Sequence, residues 1–418
     1  MSKNESIYDL SAARAMALYA QHLTEPDHQN GELANKNAVY RAVKDLGCVQ
    51  IDTLHVVQRS HYLILWSRLG GYDPADYDDL LYDPQDRRLF EGWRHSASII
   101  PLEDYRYQIP HMHSVRQNPT KMSRDWLSEP FNQELLQSVY ERIKVEGPLR
   151  ARDFEYKGPQ REGWWDWKPA KNALEYLFAW GELMIADRVN FQRLYDLSQR
   201  VLPEWVEVSE PTFETSHRFW LEQGVRALGI CQPLQAADYS YRKRNAARGY
   251  LTKMLDEGIF IQVNVRISDG SVQPHIIHHQ DQHLLEKAAD GDIPLQRTTF
   301  LSPFDNLFWA RGRDKQFWNF RNLLEAYKPA PTRIWGYFNM PILHHDQLVG
   351  RIDPKVDRKS KRLIIKSIYL EEGIELQDEL VSELAQAFQS FLAFHQAKDL
   401  VFERSTQADL GEKILAQM

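Results

Sequence analysis

One order of helices and strands occurs twice in the sequence and constrains the fold more than any other feature. Residues 132–200 and 213–283 each have the apolar spacing of three helices that are followed by two short strands. The two copies align on Gly181 and Gly258, and each glycine separates the third helix from the first strand. Any α+β protein has helices followed by strands, but two copies with a glycine at the same junction favour winged helices, a variant of the helix-turn-helix.

A weaker third copy lies near the N-terminus. It aligns on Tyr40, Val43 and Gly47, and its strand position holds Gln50 and Asp52. The resemblance of this segment to the other two copies is only suggestive, but it places the two polar residues in an extended strand.

The C-terminal part has a different pattern. Residues 333–373 alternate apolar and polar side chains in about four strands, and residues 376–400 have the spacing of a long amphipathic helix. We therefore predict an α+β fold of tandem winged-helix (helix-turn-helix) domains with a C-terminal antiparallel β domain. Because 418 residues exceed one ordinary core, several domains are expected. Their predicted bounds are 1–125, 126–207, 208–295 and 296–418.

Composition and charge exclude several classes of protein. The chain is 43% hydrophobic and 26% charged, as soluble globular proteins are. Its net charge of −7 argues against nonspecific polyanion binding by the whole molecule, although a local basic surface is still compatible with it. Cys48 and Cys231 belong to no CxxC motif, which favours a reducing compartment and no zinc finger. No signal-peptide or membrane-spanning run is present, so we expect a cytoplasmic protein without a membrane partner.

The pair Gln50 and Asp52 is the most unusual local feature. In an extended chain, residues two apart point to the same side, so these side chains project together while Val49 and Ile51 pack on the other side. The alternative is that Asp52 caps a helix that begins near Thr53, a common role for aspartate.

Basic residues lie where a winged helix contacts DNA. The third helix of such a domain usually enters a groove and the wing contacts the backbone, and phosphate contacts need cations at helix ends and turns. A solvated basic face is the alternative. The predicted contacts are Lys168, Lys171, Arg242, Lys243, Arg244 and Arg248 in the third helices, and Arg188, Arg193 and Arg266 in the wings.

Four segments, taken in order, resemble a bacterial family of DNA glycosylases that are built from tandem winged helices and a C-terminal β domain. They are VQIDTLHVVQRSHYLILWSRLG, HSASIIP, LSPFDNLFWARGR and RIWGYFNMPILHHDQLVGRIDPKVDR. The hallmark of that family is a Gln-x-Gln or Gln-x-Asp pair, which is Gln50-Ile51-Asp52 in this sequence. The resemblance implies excision of N7-alkylated purines and unhooking of interstrand crosslinks, on double-stranded DNA that carries such damage, by a nucleoid-associated monomer.

The chemistry of that reaction gives the pair a use. An N7-alkylated purine is positively charged and leaves readily, so the enzyme has to stabilise an oxocarbenium-like sugar and supply a water. We assign two roles to Asp52: its carboxylate stabilises the oxocarbenium-like sugar and acts as general base toward the water. Gln50 holds that water in position. A general base contributes ~10²–10⁴-fold. Because no well-placed lysine suggests a Schiff base, we predict a monofunctional hydrolase. A bulky crosslink does not fit a tight pocket for a flipped base, which favours an open channel.

Other candidates for lesion contact have a structural alternative. His95 and Ser96 occupy a predicted hairpin turn, where such residues are often local hydrogen-bonders. Asp305 lies in the motif Pro-Phe-Asp-Asn at a domain junction, where a structural turn is equally consistent. Tyr62 and Trp66 follow the pair at helical spacing, and core packing is the favoured role for both.

Cofactors and metals are not expected. His275, His278, His279 and His283 form a dense run, but no acid or third ligand stands at a fixed spacing from them, and the HExxH signature is absent. Neither a P-loop nor a GxGxxG motif occurs.

Two other classes of function compete with the enzyme. Winged helices are more often transcriptional regulators, which would dimerise on a two-fold site, here through the long C-terminal helix. A noncatalytic architectural DNA binder would bind tightly without Gln50 and Asp52.

Overall fold

The structure, a computed structural model, describes residues 7–25, 33–154, 169–405, 407 and 409–418. The helices are α1 Leu10–Ala20, α2 Lys36–Leu46, α3 Ser60–Leu69, α4 Pro74–Tyr82, α5 Tyr105–Gln117, α6 Lys121–Ser128, α7 Pro130–Glu146, α8 Pro169–Ala179, α9 Ser198–Val201, α10 Phe213–Leu228, α11 Pro233–Tyr239, α12 Arg244–Asp256, α13 Gln282–Asp290, α14 Arg313–Trp318, α15 Asp378–Phe394 and α16 Leu410–Gln417. The strands are β1 Ile7–Tyr8, β2 Val49–Gln50, β3 Leu89–Trp93, β4 Ala97–Pro101, β5 Leu183–Val189, β6 Gln192–Leu197, β7 Ile230–Cys231, β8 Phe260–Arg266, β9 Val272–His278, β10 Thr298–Phe300, β11 Met340–His344, β12 Gln347–Asp357, β13 Arg362–Leu370 and β14 Asp399–Phe402.

The chain divides into two compact units. The first consists of Met1–Asp76, Arg94–Ala97 and Trp220–Met418, and the second of Tyr77–Trp93 and Ser98–Phe219. The Gln-x-Asp pair and the whole C-terminal sheet therefore belong to the first unit. Among the described residues, no helix has the length and apolar composition that a membrane span requires.

The first unit contains two sheets. In one, β8 and β9 form an antiparallel hairpin, with β1 parallel to β8 and β7 antiparallel to β9. Helices α1 and α13 pack on this sheet through Met16, Leu18, Leu285 and their neighbours, which are fully or almost fully buried. The hairpin follows α10, α11 and α12, so the order of elements predicted over residues 213–283 is confirmed.

The second sheet of this unit has five strands in the order β10-β11-β12-β13-β14. Only three strands lie within residues 333–373, where about four were predicted, because residues 333–339 form part of an irregular loop. Strand β14 runs parallel to β13, so the sheet is mixed and the prediction of a purely antiparallel one is wrong. Helix α15 packs on the sheet, with the Phe388 ring 4.6 Å from that of Phe300.

The second unit contains α7 and α8 beside the antiparallel hairpin of β5 and β6. Val139, Leu174 and Tyr195 are among the buried residues of its core. The two helices and the hairpin predicted over residues 132–200 are thereby confirmed. The short helix predicted between α7 and α8 is reduced to a single 3-10 turn at Ala151–Asp153 in the described part of that segment.

Candidate active site

The Gln-x-Asp pair follows a sharply ended helix. Helix α2 begins at Asn35, whose side chain accepts a hydrogen bond from the Ala38 N–H at 3.0 Å. It ends at Gly47, which has the left-handed φ of 72°. A Cβ at Gly47 would come within 2.4 Å of the Gln223 side chain, so both conformation and space require glycine there. The chain then passes directly into β2.

The alternation predicted for this strand is present. Val49 and Ile51 are buried, at 0% and 7% exposure, while Gln50 and Asp52 are half-buried. The Ile51 N–H donates to the Ala97 carbonyl oxygen at 2.8 Å. The amide and the carboxylate therefore project together from a segment that is held on its apolar side.

Ser60 joins the backbone of both residues. Its Oγ accepts a hydrogen bond from the Asp52 N–H at 3.0 Å and donates one to the Gln50 carbonyl oxygen at 2.9 Å. Ser60 is 1% exposed and is the first residue of α3. A single buried hydroxyl thus fixes the backbone of the pair, a contact that the sequence analysis missed.

The Asp52 carboxylate accepts hydrogen bonds from the backbone that follows it. Its Oδ1 accepts a hydrogen bond from the Leu54 N–H at 2.8 Å, an Asx turn. Burial raises the pKa of this carboxyl above its ordinary value, against the opposing effects of the Leu54 and Thr53 N–H groups and the Arg59 charge. Helix α3 begins at Ser60 rather than near Thr53, so the idea that Asp52 caps this helix is wrong.

The irregular segment after Asp52 is anchored to the C-terminal sheet. Arg358, in the turn between β12 and β13, donates from Nη2 to the carbonyl oxygens of His55 at 3.3 Å and Val57 at 3.1 Å. Desolvation and the charges of Arg358 and Arg59 lower the pKa of His55 to about 4, so this imidazole is neutral at physiological pH. The segment therefore has no protonated histidine beside Asp52.

An exposed tyrosine is influenced by the charge of the carboxylate. Tyr327 is 75% exposed, and local desolvation raises the pKa of its hydroxyl, with a smaller contribution from the Asp52 charge. Its loop is held by the buried carboxylate of Glu325, which accepts hydrogen bonds from the N–H groups of Ile334 at 2.9 Å and Trp335 at 2.8 Å. No spacing in the sequence connects Tyr327 to the pair, and it was not among the predicted residues.

Comparison with known proteins identifies the family. The family model described as DNA glycosylase AlkZ-like matches residues 43–394, a range that contains Gln50, Asp52, Ser60 and Tyr327. The chain belongs to the AlkZ-like DNA glycosylase family. The resemblance inferred from the sequence is thereby confirmed, and DNA repair by a DNA glycosylase is the function that the family supports.

A solved structure shares the fold of this glycosylase. It is the Streptomyces sahachiroi DNA glycosylase AlkZ, with a TM-score of 0.64 and 14% sequence identity. The match covers 96% of this chain and 100% of that chain. At this identity the likeness concerns the fold alone, a mixed α+β fold with several sheets.

The predicted hairpin turn of this glycosylase is present between β3 and β4. His95 stacks on the Trp309 ring at 4.1 Å, and its Nδ1 lies 3.2 Å from the Tyr239 carbonyl oxygen. Burial lowers the pKa of His95, which is therefore neutral at physiological pH. Ser96 is half-buried, and its carbonyl oxygen accepts a hydrogen bond from the Arg94 N–H at 3.0 Å. His95 therefore bonds to a residue distant in sequence and Ser96 to one within the turn, and contact of either residue with the lesion stays a prediction.

Asp305 does not reach the surface. Its side chain and that of Arg68 are both 0% exposed and form an ion pair, with Arg68 Nη2 donating to Asp305 Oδ1 at 2.7 Å. The same Oδ1 accepts a hydrogen bond from the Leu307 N–H at 3.0 Å. The prediction that Asp305 contacts the lesion is wrong, because a fully buried carboxylate has no access to DNA.

Tyr62 and Trp66, both on α3, differ in exposure. Trp66 is 2% exposed and packs against Phe391, with ring centroids 4.7 Å apart, so its role is in the core. Tyr62 is half-buried, and its backbone carbonyl oxygen accepts a hydrogen bond from the Tyr72 hydroxyl at 3.1 Å.

The basic residues predicted in the second unit neutralise acids of that unit. Arg188 donates from Nε and Nη2 to the two oxygens of Glu91 at 2.6 and 2.7 Å, and Arg193 contacts Glu91 at 3.3 Å and Glu175 at 3.1 Å. These arginines lower the pKa of the buried Glu91 to about 2 despite its desolvation. Lys171 is half-buried, and desolvation lowers its pKa. None of the three is a fully exposed cation, and Lys168 lies outside the described residues.

The basic residues of α12 differ in exposure. Arg244 pairs with Asp238 at 2.9 Å through its Nε, and Arg242 is half-buried, with a pKa that burial lowers to about 10. Lys243 and Arg248 are exposed. Arg266, in the predicted wing, is also exposed and lies 3.9 Å from the Asp9 carboxylate.

Proposed function

We propose that this glycosylase hydrolyses the N-glycosidic bond of N7-alkylated purines and unhooks interstrand crosslinks, with Gln50 and Asp52 as its catalytic pair. The observation that carries the proposal is the common projection of an amide and a carboxylate from one anchored segment, both half-buried. Membership in a DNA glycosylase family supports DNA as the substrate.

The environment of Asp52 suits the charge that develops during this reaction. The sugar becomes oxocarbenium-like as the base departs, and a carboxylate stabilises that positive charge more strongly in a partly desolvated site than in water. The raised pKa of Asp52 also brings the carboxylate closer to the operating pH, which favours its action as general base toward water. An N7-alkylated purine leaves with little protonation, so no separate acid is needed for it.

Gln50 is suited to hold the attacking water. Its backbone carbonyl oxygen is bound by Ser60, while among the described residues its side-chain amide has no hydrogen-bond partner. An amide both donates and accepts, so it can orient one water beside the Asp52 carboxylate.

The surface around the pair supports recognition of the lesion in place. Tyr327 is exposed and its hydroxyl is influenced by the Asp52 charge, so we assign its ring to stacking on a displaced base or on the sugar. An open site of this kind accepts a bulky crosslink without full extrusion of the base. We extend the proposal to a monofunctional hydrolase that acts as a monomer in the cytoplasm.

In the winged-helix interpretation, α12 contacts DNA. In the proposed domain 208–295, α12 is the third helix, and two exposed cations, Lys243 immediately before it and Arg248 within it, would contact phosphates. The other proposed domains are 1–125, 126–207 and 296–418.

The test measures base release under single-turnover conditions from a duplex with one N7-methylguanine and from one with a nitrogen-mustard crosslink. Wild type is compared with Asp52→Asn, which keeps the Oδ1 acceptor of the Asx turn, and with Gln50→Ala. We expect both variants to bind DNA, and Asp52→Asn to lose about 10²–10⁴-fold in rate. Asp290→Asn, at an exposed carboxylate of α13, is the matched control and should keep full activity.

Four results would contradict the proposal. Release of the base by Asp52→Asn at the wild-type rate would remove Asp52 from the chemistry. Duplex binding without base release by the wild-type protein would favour the architectural binder, and a sequence-specific footprint of a dimer would favour the regulator. Borohydride trapping of a covalent DNA adduct would contradict a monofunctional mechanism.

A further inference from the structure

Three side chains of the kinds that bind transition metals converge at the end of β11, where the last of the four family segments contains two adjacent histidines. His344 Nδ1 lies 3.2 Å from Glu383 Oε2, and His345 Nε2 lies 3.1 Å from the same oxygen. All three ligand atoms lie within 4.8 Å of one another, the only such group among the residues that the structure describes.

The backbone explains how two adjacent histidines face one carboxylate. Successive residues of a strand point to opposite sides, but His345 lies in the turn after β11 and has a left-handed φ of 56°. The two imidazoles consequently stack, with ring centroids 4.0 Å apart. The His345 N–H donates to the Arg297 carbonyl oxygen at 2.9 Å, which fixes the turn. A left-handed non-glycine residue is uncommon and often accompanies a functional constraint.

We propose that His344, His345 and Glu383 bind a divalent transition-metal ion of the Zn²⁺ class. Two imidazole nitrogens and one carboxylate form a ligand set that zinc accepts, with a fourth position left to water. Bonds of about 2.1 Å in tetrahedral geometry place ligand atoms about 3.4 Å apart. The two distances to Glu383, 3.2 and 3.1 Å, are close to that separation, and the two imidazole nitrogens lie within 4.8 Å of each other. Because the two rings are stacked, binding of one ion requires them to rotate toward it.

The groups around the three ligands are consistent with a cation. The Thr298 hydroxyl donates to Glu383 Oε2 at 2.6 Å and orients this carboxylate, as outer residues of metal sites do. Its oxygen also lies 2.8 Å from His344 Nδ1, a contact that a bound ion would replace. Glu379 lies one turn earlier on α15, and its negative charge favours a positive charge at His344. The three ligand side chains are 17%, 31% and 24% exposed, which gives an ion access from solvent. Bound there, the ion would join β11 and the turn after it to α15.

The test uses untagged, chelator-treated full-length protein and measures Zn²⁺ binding by competition with a chromophoric chelator, together with the absorption spectrum of bound Co²⁺. Two variants remove a ligand with little change of shape. Glu383→Gln is isosteric, and His345→Asn retains a residue that tolerates the left-handed turn. The control is His283→Ala, at an exposed histidine outside the group.

We expect one equivalent of Zn²⁺ in wild type and in His283→Ala, and loss of this site in both ligand variants. Thr298→Val should bind about 10–100-fold more weakly, as expected for an outer residue. Added Zn²⁺ should raise the melting temperature only of proteins that keep the site. These readouts do not involve DNA, so they are independent of the proposed glycosylase activity.

Other outcomes would overturn the site. If wild type competes for Zn²⁺ no better than Glu383→Gln, the three side chains form a hydrogen-bonded group without an ion. If His283→Ala loses binding as the ligand variants do, the ion binds elsewhere. Melting temperatures in the absence of metal show whether each variant is folded, and either ligand variant alone decides the question if the other unfolds.

Discussion

The Ser60 hydroxyl lies 3.0 Å from the Asp52 backbone nitrogen and accepts its hydrogen bond. The same hydroxyl donates to the Gln50 carbonyl oxygen, so the first residue of α3 fixes the backbone of both members of the pair. Neither bond involves a side-chain atom of the pair. Ser60 therefore positions the proposed catalytic groups without contacting substrate.

Removal of that hydroxyl should affect both stability and rate. Ser60→Ala leaves the partly buried Asp52 N–H and Gln50 carbonyl oxygen without this partner, which costs about 1 kcal/mol of unfolding free energy. A small displacement of reacting groups can cost about 10²-fold in rate, so we expect slower single-turnover base release with little change in DNA affinity. Urea unfolding and fluorescence anisotropy measure the two effects. Unchanged base release in a stably folded Ser60→Ala would show that the pair does not depend on this bond.

The raised pKa of Asp52 predicts opposite pH dependences of stability and activity. Because the Asp52 pKa is higher in the folded than in the unfolded protein, protonation of Asp52 stabilises the fold. This contribution is complete below the unfolded pKa of about 3.9 and is lost as the pH rises through the folded pKa. Asp52→Asn should therefore melt above wild type at pH 7, and this difference should disappear in acid. Base release by wild type should fall as the pH drops through the folded pKa. Thermal melts and single-turnover rates across pH 4–8 check both, and a melting difference that grows in acid would contradict the assignment.

Arg358 should support catalysis from the C-terminal sheet. It donates to the carbonyl oxygens of His55 and Val57, so Arg358→Ala should loosen the segment that follows Asp52. We expect a fall of up to about 10²-fold in single-turnover rate with an unchanged salt dependence of DNA binding. Arg362→Ala is the matched control, because this arginine of β13 pairs only loosely, at 3.5 Å, with the exposed Asp399. A reduced salt slope for Arg358→Ala would indicate a phosphate contact instead.

Exposure on α12 predicts which cations contact DNA. Arg248→Ala and Lys243→Ala should each weaken duplex binding and reduce the salt slope by about 1, since each removes one proposed phosphate contact. Lys287→Ala, at an exposed lysine of α13, is the control and should leave the slope unchanged. Binding isotherms at several salt concentrations measure the slopes. Equal slopes for all four proteins would remove α12 from the DNA-binding surface.

The parts of this site that the sequence predicts are those that depend on neighbouring residues. The joint projection of Gln50 and Asp52 follows from the period of an extended chain, and the hairpin at His95 follows from local strand signals. Ser60, Tyr327 and Arg358 could not be found in this way, because their contacts with the segment depend on how the chain folds back. Arg358 binds Val57 across a separation of 301 residues. Charge alone also does not show that Arg188 and Arg193 both pair with Glu91, and their contact with DNA stays a prediction.

The ion pair between Arg68 and Asp305 should be one of the most sensitive points for stability. Both side chains are fully buried, and they connect positions 237 residues apart in sequence. Asp305→Ala leaves the Arg68 charge uncompensated, so we expect a loss of about 3–5 kcal/mol of unfolding free energy. Asp399→Ala breaks an exposed pair with Arg362 and should cost about 0–1 kcal/mol. Urea unfolding of the two variants measures the contrast, and equal losses would mean that the buried pair contributes no more than a surface one.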